Sequence, residues 1–486
     1  MKPIRIFLTA VLSWVILLQT EAQPLNFFKD NIYNLNYNPA SEVTVHQHYS
    51  LLFSHFNLQL GTNILTYNDV VFLDKQGNKV IDPKGFFARI PKSSYGEIVF
   101  NLANEFVGFG FRVNPKLYLT FSNSLRMEAA VSVPKDAFQL LSDGNMAHIG
   151  EKMTVLPLAS TLLYTDYSMG LQYKLFEKMT VGIRGKLLMG MLGATIGKSD
   201  LTLMTDAEWN LHLNGSALVN LYFPKELINP VSESLNIMDI GNLFDFNSLS
   251  TKTITHALGT SWGGGFDFGV DIKLPCDFGV KASLIDVGWI KWNGNHSGAS
   301  GYRLEINPNH PLYQDGELVF SGLPFSELPL TFTETTIFQL LGEVARNAGL
   351  DTALILTKVK PESYVVRTNS KLFLEGYYEM KRGKFSTLLR LDFLKEGTFP
   401  SFTLAYNFNL QKIMDVAVSY TMAKGAYRNL GLGISFNPGN FLHFYAVTDN
   451  LFTVFFPYAN NNLNVQAGIY FSVPIKKPKK LEEPAP

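Results

Sequence analysis

Large apolar residues recur at every second position in several long stretches of this chain. The stretches 402–410, 430–436 and 463–472 place mainly Phe, Leu, Ile, Val or Tyr on one parity and small or polar residues on the other. Successive side chains of a β-strand point to opposite faces, so each stretch forms a strand with one apolar face. The pattern therefore favours all-β folds in which that face meets either a sandwich core or lipid.

Charged residues occupy the opposite face in other strands. They alternate with apolar residues in the segments 179–186, 266–273 and 389–393. On a membrane barrel this face lines the lumen, where the charges either pair with one another across a filled interior or line a selective pore. The candidate lumen-lining residues are Arg184, Lys186, Asp267, Asp271, Lys273, Lys281, Arg390 and Asp392.

Strand length and connection length favour the barrel over the sandwich. Many alternating runs reach the roughly 9–11 residues with which a tilted strand crosses the hydrocarbon layer. Tight turns also alternate with longer connections, as expected where turns face the periplasm and loops face outside. The turns lie at 114–116, 176–178, 275–277, 382–384, 411–412 and 437–440, and the long connections at 134–160, 225–260, 293–370 and 449–462. The sequence predicts an all-β fold, a single transmembrane antiparallel β-barrel of about 14–16 strands over 44–474, with long extracellular loops that contain short helices.

The first 22 residues have the organisation of a secretory signal peptide. Two basic residues precede an apolar run at 6–18, and residues 20–22 supply a cleavage site before Gln23. A transmembrane anchor is the alternative, but the run is shorter than the roughly 20 apolar residues that such a helix needs. At the other end, the proline- and lysine-rich residues 475–486 predict a flexible periplasmic tail.

Residue counts restrict the partners and the chemistry. Lys and Arg total 41 and Asp and Glu also total 41, so no net positive field attracts nucleic acid. The single cysteine, Cys276, permits no disulfide framework within the chain and lies far from any N-terminal lipid-attachment position. No phosphate-binding loop, dinucleotide fingerprint or HExxH motif occurs in the sequence.

Two local patterns resemble catalytic or metal sites without their usual context. Gly259, Ser261 and Gly263 match the spacing of a nucleophile elbow, but a strand follows where that motif needs a helix. His46 and His48 share one face of a strand, yet no third ligand lies at a familiar spacing. We therefore predict no enzyme, no metal site and no cofactor.

Two features belong to the predicted outer side. Thr331 and Glu334 form a capping box, apolar residues follow at helical spacing from 337 to 348, and Gly349 ends the pattern, so one amphipathic helix is expected there. It serves as a brace on the barrel rim or as a lid or partner surface. Aromatic residues near the outer strand ends predict an interfacial girdle, with a hydrophobic-ligand site at Phe452, Phe455 and Phe456 as the alternative. The girdle candidates are Trp289, Trp292, Phe455, Phe456 and Tyr458.

A short motif and several longer segments carry a family resemblance. The motif, Asn36, Tyr37, Asn38, Pro39 and Ala40, is similar to the N-terminal plug signature of fatty-acid-transporter-like barrels and of Bacteroidota barrels linked to gliding and protein secretion. The segments 65–69, 131–135, 268–271, 282–292 and 445–450 resemble an uncharacterised Bacteroidota family, a domain of unknown function. The resemblance implies a barrel of the fatty-acid-transporter type, with residues 23–43 as a plug in the lumen and with no established substrate. An ordinary turn before the first strand is the alternative for the motif.

The functional expectation combines the barrel with this resemblance. It is passive uptake of a small hydrophobic molecule across the bacterial outer membrane. The alternative is a barrel that transports nothing and serves as a scaffold or partner of surface or secretion machinery. The expected partners are outer-membrane lipid and either a small hydrophobic ligand or other envelope proteins.

Overall fold

A closed sheet of antiparallel strands dominates the fold. The computed structural model describes residues 27–28, 31–43, 47–62, 71–73, 79–81, 96–227, 229, 234–236, 250, 261–295, 299–321, 352–394, 397–410, 413–423, 426–438, 441–455 and 462–474. In this part of the chain, 14 strands form the barrel, and the first pairs with the last. They are β1 (Gln47–Thr62), β2 (Gly96–Asn114), β3 (Leu117–Val133), β4 (Leu158–Phe176), β5 (Met179–Ser199), β6 (Ser261–Lys273), β7 (Phe278–Trp292), β8 (Ser370–Met380), β9 (Gly383–Leu394), β10 (Gly397–Leu410), β11 (Met414–Ala423), β12 (Ala426–Phe436), β13 (Leu442–Thr448) and β14 (Asn462–Pro474). The prediction of one antiparallel barrel of about 14–16 strands is confirmed.

The apolar faces of the strands point away from the barrel axis. On β10, Phe402 and Leu404 are exposed, whereas Thr403 between them is fully buried. A soluble sandwich would bury the apolar parity and expose the polar one. The opposite arrangement is found here, and it excludes the sandwich interpretation.

The two ends of the barrel differ in their connections. At the short-turn end, each of the six hairpins β2–β3, β4–β5, β6–β7, β8–β9, β10–β11 and β12–β13 has a short connection. Both termini of the barrel lie at this end, where Gln47 of β1 pairs with Pro474 of β14. The long-loop end carries the extended connections, together with short links at 394–397 and 423–426. The alternation agrees with the expected pattern of turns and loops.

At the long-loop end, extra strands extend the barrel sheet, and a separate sheet lies beside them. The upper part of β5 pairs with Ser216–Tyr222, which pairs with Ala299–Ile306, and this sheet continues through Leu354–Val359 to Ser234–Asn236. A separate sheet, here named the loop sheet, is built on the apolar side chains of Met153, Leu203, Leu211, Leu213 and Leu318. Its strands are Lys152–Thr154, Thr202–Thr205, Asn210–Asn214, Tyr313–Gln314 and Glu317–Ser321.

The remaining elements are short. Val71–Leu73 pairs with Lys79–Ile81, and Tyr364–Arg367 extends the barrel wall beside β7. The described helices are α1 (Lys135–Asp143), α2 (Leu451–Phe455) and three 3₁₀ helices at Ile32–Asn36, Asn145–His148 and Lys225–Leu227. Among the described residues, no helix has the length and apolar character needed to cross a membrane. The helix predicted from Thr331 to Gly349 lies outside the described residues.

Candidate functional site

The N-terminal segment, residues 31–43, lies inside the short-turn half of the barrel. Its 3₁₀ helix is capped by Asn31, whose side chain accepts a hydrogen bond from the Tyr33 amide. The ring of Tyr33 stacks on His55 of β1 at 4.7 Å and meets Tyr470 of β14 edge to face. Tyr33 and Tyr470 belong to a buried apolar cluster inside the barrel, so the segment packs as part of the interior.

Asn36 and Tyr37 of the predicted plug motif contact three strands of the barrel wall. The Asn36 amide donates to Glu105 of β2 at 3.3 Å and accepts from Arg184 of β5 at 2.6 Å. The Tyr37 hydroxyl donates to Gln466 of β14 at 2.8 Å. An amide provides both a donor and an acceptor, so Asn36 matches an acid on one side and a base on the other.

Asn38, Pro39 and Ala40 form a tight turn against the barrel wall. The Asn38 side chain accepts from the amide of Ala40 at 2.8 Å. Its amide nitrogen donates to the carbonyl of Val270 at 3.2 Å. Ala40 is fully buried. At Gly182 of β5, a Cβ would collide with the carbonyl group of Pro39, so the wall approaches the turn as closely as glycine allows.

The predicted charges of β5 and β6 form ion pairs. Asp267 accepts from Arg184 at 2.6 Å and from Lys186 at 2.8 Å. Lys186 also reaches Asp286 of β7 at 2.5 Å, and Arg126 of β3 reaches the same carboxylate at 2.8 Å. These five residues, together with Asp166 and Lys371, are named the inner charge cluster. Its four cations and three carboxylates each lie beside at least one opposite charge, which offsets part of the cost of burying them.

The other predicted lumen charges also have partners. Lys281 lies 4.0 Å from Asp271 and 3.9 Å from Glu375, and Asp271 accepts from the Tyr377 hydroxyl at 3.1 Å. Arg390 pairs with Asp392 at 2.5 Å and lies over the ring of Phe373. Lys273, at the short-turn end, pairs with Glu42 of the N-terminal segment. The predicted set is thus brought together in ion pairs.

Asp286 was missed in the sequence analysis because it lies at a β-bulge. The register between β6 and β7 shifts between Phe266 and Phe268, and the backbone φ of Asp286 is +56°. The bulge brings Asp286 to the interior beside buried Ile285, and its amide donates to Asp267 at 2.7 Å. The available signal was the break in alternation at Ile285-Asp286-Val287. Arg126, Asp166, Glu105 and Glu375 were missed as well, because their strands carry no clear run of alternating charge.

A cavity of about 170 Å³ occupies the interior above the N-terminal segment. Asn36 and Tyr37 lie at its base, and Phe399 and Pro400 lie toward the long-loop end. One wall carries members of the inner charge cluster. The other wall, on β1 and β2, carries the uncharged amides of Asn57, Gln59 and Asn101. The cavity therefore combines charged, neutral polar and apolar surface.

The remaining candidate residues lie outside this cavity. Ser261 begins β6 and is buried against Gly190, so the elbow spacing occurs at the start of a strand. Trp289 is exposed as expected of a girdle, but Trp292 is 1% exposed and packs on Tyr222 and Tyr364, which corrects its assignment to the girdle. The extra sheet strands at the long-loop end cover the inward face on which Trp292 lies.

Four aromatic and two histidine candidates remain. Phe452 and Phe455 of α2 are exposed, and neither lines the cavity above the N-terminal segment. Phe456, Tyr458, His46 and the side chain of His48 lie outside what the structure describes. Within the described ranges, no group of three or more His, Cys, Asp or Glu side chains is arranged to hold a metal ion.

The fold and interior define a closed antiparallel β-barrel with an apolar outer face and a polar lumen. The chain belongs to a family of unknown function (DUF5723), whose match covers residues 39–449. A comparison with curated proteins finds no match.

Solved structures of similar topology are distant. The Pseudomonas putida toluene transporter TodX is 8% identical, with 94% of this chain and 97% of that chain covered and a TM-score of 0.39. A Pseudomonas aeruginosa FadL homologue is 10% identical, with 94% and 98% covered and a TM-score of 0.40. The translocator domain of the autotransporter NalP from Neisseria meningitidis is 6% identical, with 89% and 90% covered and a TM-score of 0.31. These values are too low to transfer a ligand.

Proposed function

We propose that this protein is an outer-membrane β-barrel through which a small, partly hydrophobic molecule passes passively. The apolar outer faces of its strands suit a hydrocarbon environment, and the signal-like residues 1–22 suit export from the cytoplasm. In this proposal the short-turn end faces the periplasm and the long-loop end faces outside.

The observation that carries the proposal is the division of the lumen into two halves. The N-terminal segment fills the short-turn half, and the cavity of about 170 Å³ occupies the half toward the long loops. The cavity thus forms a chamber for a molecule entering from outside, and the segment acts as a plug beneath it. Passage into the periplasm requires the plug to shift.

The lining of the chamber restricts the cargo. Val99, Ile285 and Phe399 provide apolar surface for the hydrophobic molecule that the family resemblance implies. The amides of Asn57 and Asn101 lie beside them, so the cargo also carries hydrogen-bonding groups.

Movement of the plug is compatible with the contacts that hold it. Beside the apolar contacts of Ile32, Leu35 and Val43, its polar contacts include single hydrogen bonds, such as Gln172 to the carbonyls of Pro39 and Ser41 and Arg112 to the carbonyl of Val43. Each such bond contributes about 0.5–1.5 kcal/mol net, or about 1.5–3 kcal/mol where one partner is charged. These bonds are separate and point to different strands, so they can break one after another.

Liposome swelling tests the proposal. The mature chain and a variant lacking residues 23–43 are refolded into vesicles, and influx of small solutes is followed by light scattering. We expect slow influx with the mature chain and faster influx with the deletion. If both forms are silent while gel mobility shows a folded barrel, the lumen transports nothing.

That silent outcome would favour the second candidate, a barrel that serves as a scaffold for envelope machinery. The specific observation in its favour is the loop sheet, which does not pair with the barrel sheet and shares an apolar core with Ile306 and Leu354 of the strands beside it. Cross-linking of whole cells through a cysteine placed at exposed Trp209 of this sheet region would then identify the partner.

A further inference from the structure

Two carboxylates that line the cavity have no cation beside them. The lining includes five Asp or Glu side chains and four Arg or Lys side chains. Each of these four cations lies within 3.6 Å of an aspartate, and the aspartates are Asp166, Asp267, Asp286 and Asp392. Among the described residues, Glu105 of β2 and Glu128 of β3 take part in no ion pair. The lining therefore carries an excess of one negative charge.

The two glutamates differ in how many hydrogen bonds they accept. Glu128 accepts from the Tyr164 hydroxyl and, at 3.1 Å, from the Asn369 amide. Glu105 is only 5% exposed, and its one described side-chain partner is the Asn36 amide, which donates to Oε2 at 3.3 Å. Its Oε1 accepts no hydrogen bond from the described residues and remains accessible from the cavity. An ionised carboxylate can accept about four hydrogen bonds, so Glu105 has unused capacity at the cavity.

Within the described part of the chain, no neighbouring element brings a cation to Glu105. The register places His55 of β1 directly opposite Glu105, and Nδ1 of its ring contacts the Tyr445 hydroxyl. Arg184 is separated from Glu105 by the Asn36 amide, which contacts both side chains. A buried carboxylate without a paired cation is unfavourable, so a cation supplied through the lumen would stabilise it.

The size of the cavity restricts the size of that cation. A volume of about 170 Å³ corresponds to about six water molecules at roughly 30 Å³ each. Ala103, Ile285 and Phe399 add apolar surface to the lining. We infer that the cavity binds a small primary alkylammonium ion, whose ammonium group donates to Oε1 of Glu105 and whose chain lies on the apolar lining. This inference rests on the proposed function and deepens it by naming the chemical class of the cargo.

Ligand-observed NMR on the mature chain in detergent measures binding apart from transport. The probes are n-pentylammonium, 1-pentanol and pentanoate, which have carbon chains of equal length and differ in charge. Signals from protein-free micelles are subtracted. We expect the lowest Kd for n-pentylammonium, because only this probe brings a positive charge to Glu105. Pentanoate should have the highest Kd, because the lining already carries an excess of negative charge.

The substitution Glu105→Gln removes the charge and keeps the size of the side chain. The Kd for n-pentylammonium should rise about ten-fold, as expected when a charge-assisted hydrogen bond is lost, and the Kd for 1-pentanol should stay the same. Glu128→Gln is the matched control, because it removes the same charge from the same lining. It should change the Kd for n-pentylammonium less than about two-fold. Gel mobility before and after heating verifies that each variant is folded.

The order of the three probes tests the inference on the native chain even if Glu105→Gln does not refold. Equal Kd values for n-pentylammonium and 1-pentanol, tighter binding of pentanoate, or no binding of any probe would each overturn it. Equal effects of the two substitutions would also overturn it, because the affinity would then follow the total charge and not a contact with Glu105.

Vesicle swelling, as used for the proposed function, separates the two proposals. Binding of n-pentylammonium by a chain that admits no solute would support the binding site and refute uptake. Influx of small solutes without saturable binding of n-pentylammonium would support uptake and refute the site.

Discussion

At the scale of single residues, Asn36 joins an acidic and a basic side chain of the lumen. Asn36 donates to Glu105 and accepts from Arg184, and only a side chain with both capacities satisfies the two neighbours. Arg184 is in turn fixed by Asp267. The position of the N-terminal segment is therefore coupled to the inner charge cluster through one amide.

The substitution Asn36→Asp tests this coupling. A carboxylate keeps the contact with Arg184 but loses the donor to Glu105 and places like charges side by side. We expect a loss of about 2–3 kcal/mol of unfolding free energy, measured by urea titration in vesicles, and faster solute influx. Asn309→Asp makes the same change at an exposed turn and should have no effect. Equal stability of the two variants would mean that Asn36 does not hold the segment.

His212 of the loop sheet gives a pH-dependent contact. Its ring nitrogens lie 3.1 Å from Asp206 and 3.0 Å from Glu317, so the doubly protonated ring donates to both. The hydrogen bond to Asp206 raises the pKa of His212 above its usual 6.5. Hydrogen bonding from Asn210 lowers the pKa of Asp206 to about 2, and hydrogen bonding from Asn214 lowers the pKa of Glu317.

These shifts predict where the loop sheet is most stable. A raised histidine pKa stabilises the fold fully below about pH 6.5, and this contribution is lost as the pH rises through the folded-state value. The lowered pKa of Asp206 stabilises the fold above about pH 4 and is lost toward pH 2. Hydrogen exchange at Asn210–Asn214, corrected for the intrinsic rate, should become a few-fold faster between pH 6 and 9. His212→Gln should remove this dependence, and persistence of the dependence in that variant would assign it to another group.

At the scale of secondary-structure elements, β5 contacts the N-terminal segment at Gly182. A methyl group at position 182 would overlap the carbonyl of Pro39, whereas at Gly185 of the same strand no heavy atom lies within 4 Å. Gly182→Ala should therefore displace the segment, with a cost of about 1–3 kcal/mol in thermal or urea unfolding and faster vesicle swelling. Gly185→Ala is the matched control and should behave as the native chain. Identical swelling in both variants would argue that the turn at Pro39 does not close the lumen.

The sequence predicts a strand where apolar and polar residues alternate along its whole length. β10 and β14 each have one uniformly apolar face, so period two identifies them. The loop sheet was not predicted because its strands have two to five residues, too few for a period to be recognised. The contact between Gln59 and Asn101 was not predicted either, because neutral amides on β1 and β2 give no charge pattern and their proximity depends on the register between strands.

The end of β13 shows a second limit of sequence reasoning. β13 has seven residues and pairs with only the lower part of β12, and α2 follows it. Above β13, the Asn450 amide bridges Asn429 of β12 and Asn462 of β14. The hydrogen bonds of three buried amides thus replace a missing stretch of strand, an arrangement that depends on contacts between residues distant in sequence.

At the scale of the whole molecule, the direction of the apolar faces determines the environment of the barrel. Exposed Leu404 lies in the middle of β10, whereas exposed Leu274 lies at the short-turn end after β6. Arginine on the lipid face costs about 2–4 kcal/mol at the centre of a bilayer and about 0–1 kcal/mol near its surface. On a water-exposed surface neither substitution would change the stability by more than about 0.5 kcal/mol.

The pair Leu404→Arg and Leu274→Arg therefore tests how the barrel lies in the membrane. Each variant is refolded into lipid vesicles, and its unfolding free energy is measured by urea titration against the native chain. We expect a loss of about 2–4 kcal/mol for Leu404→Arg and at most about 1 kcal/mol for Leu274→Arg. If both variants are as stable as the native chain, the outer face of β10 lies in water and the proposed membrane placement is wrong. If the larger loss falls on Leu274→Arg, the hydrocarbon layer surrounds the short-turn end, and the N-terminal segment beneath the cavity lies at a different depth from the one proposed.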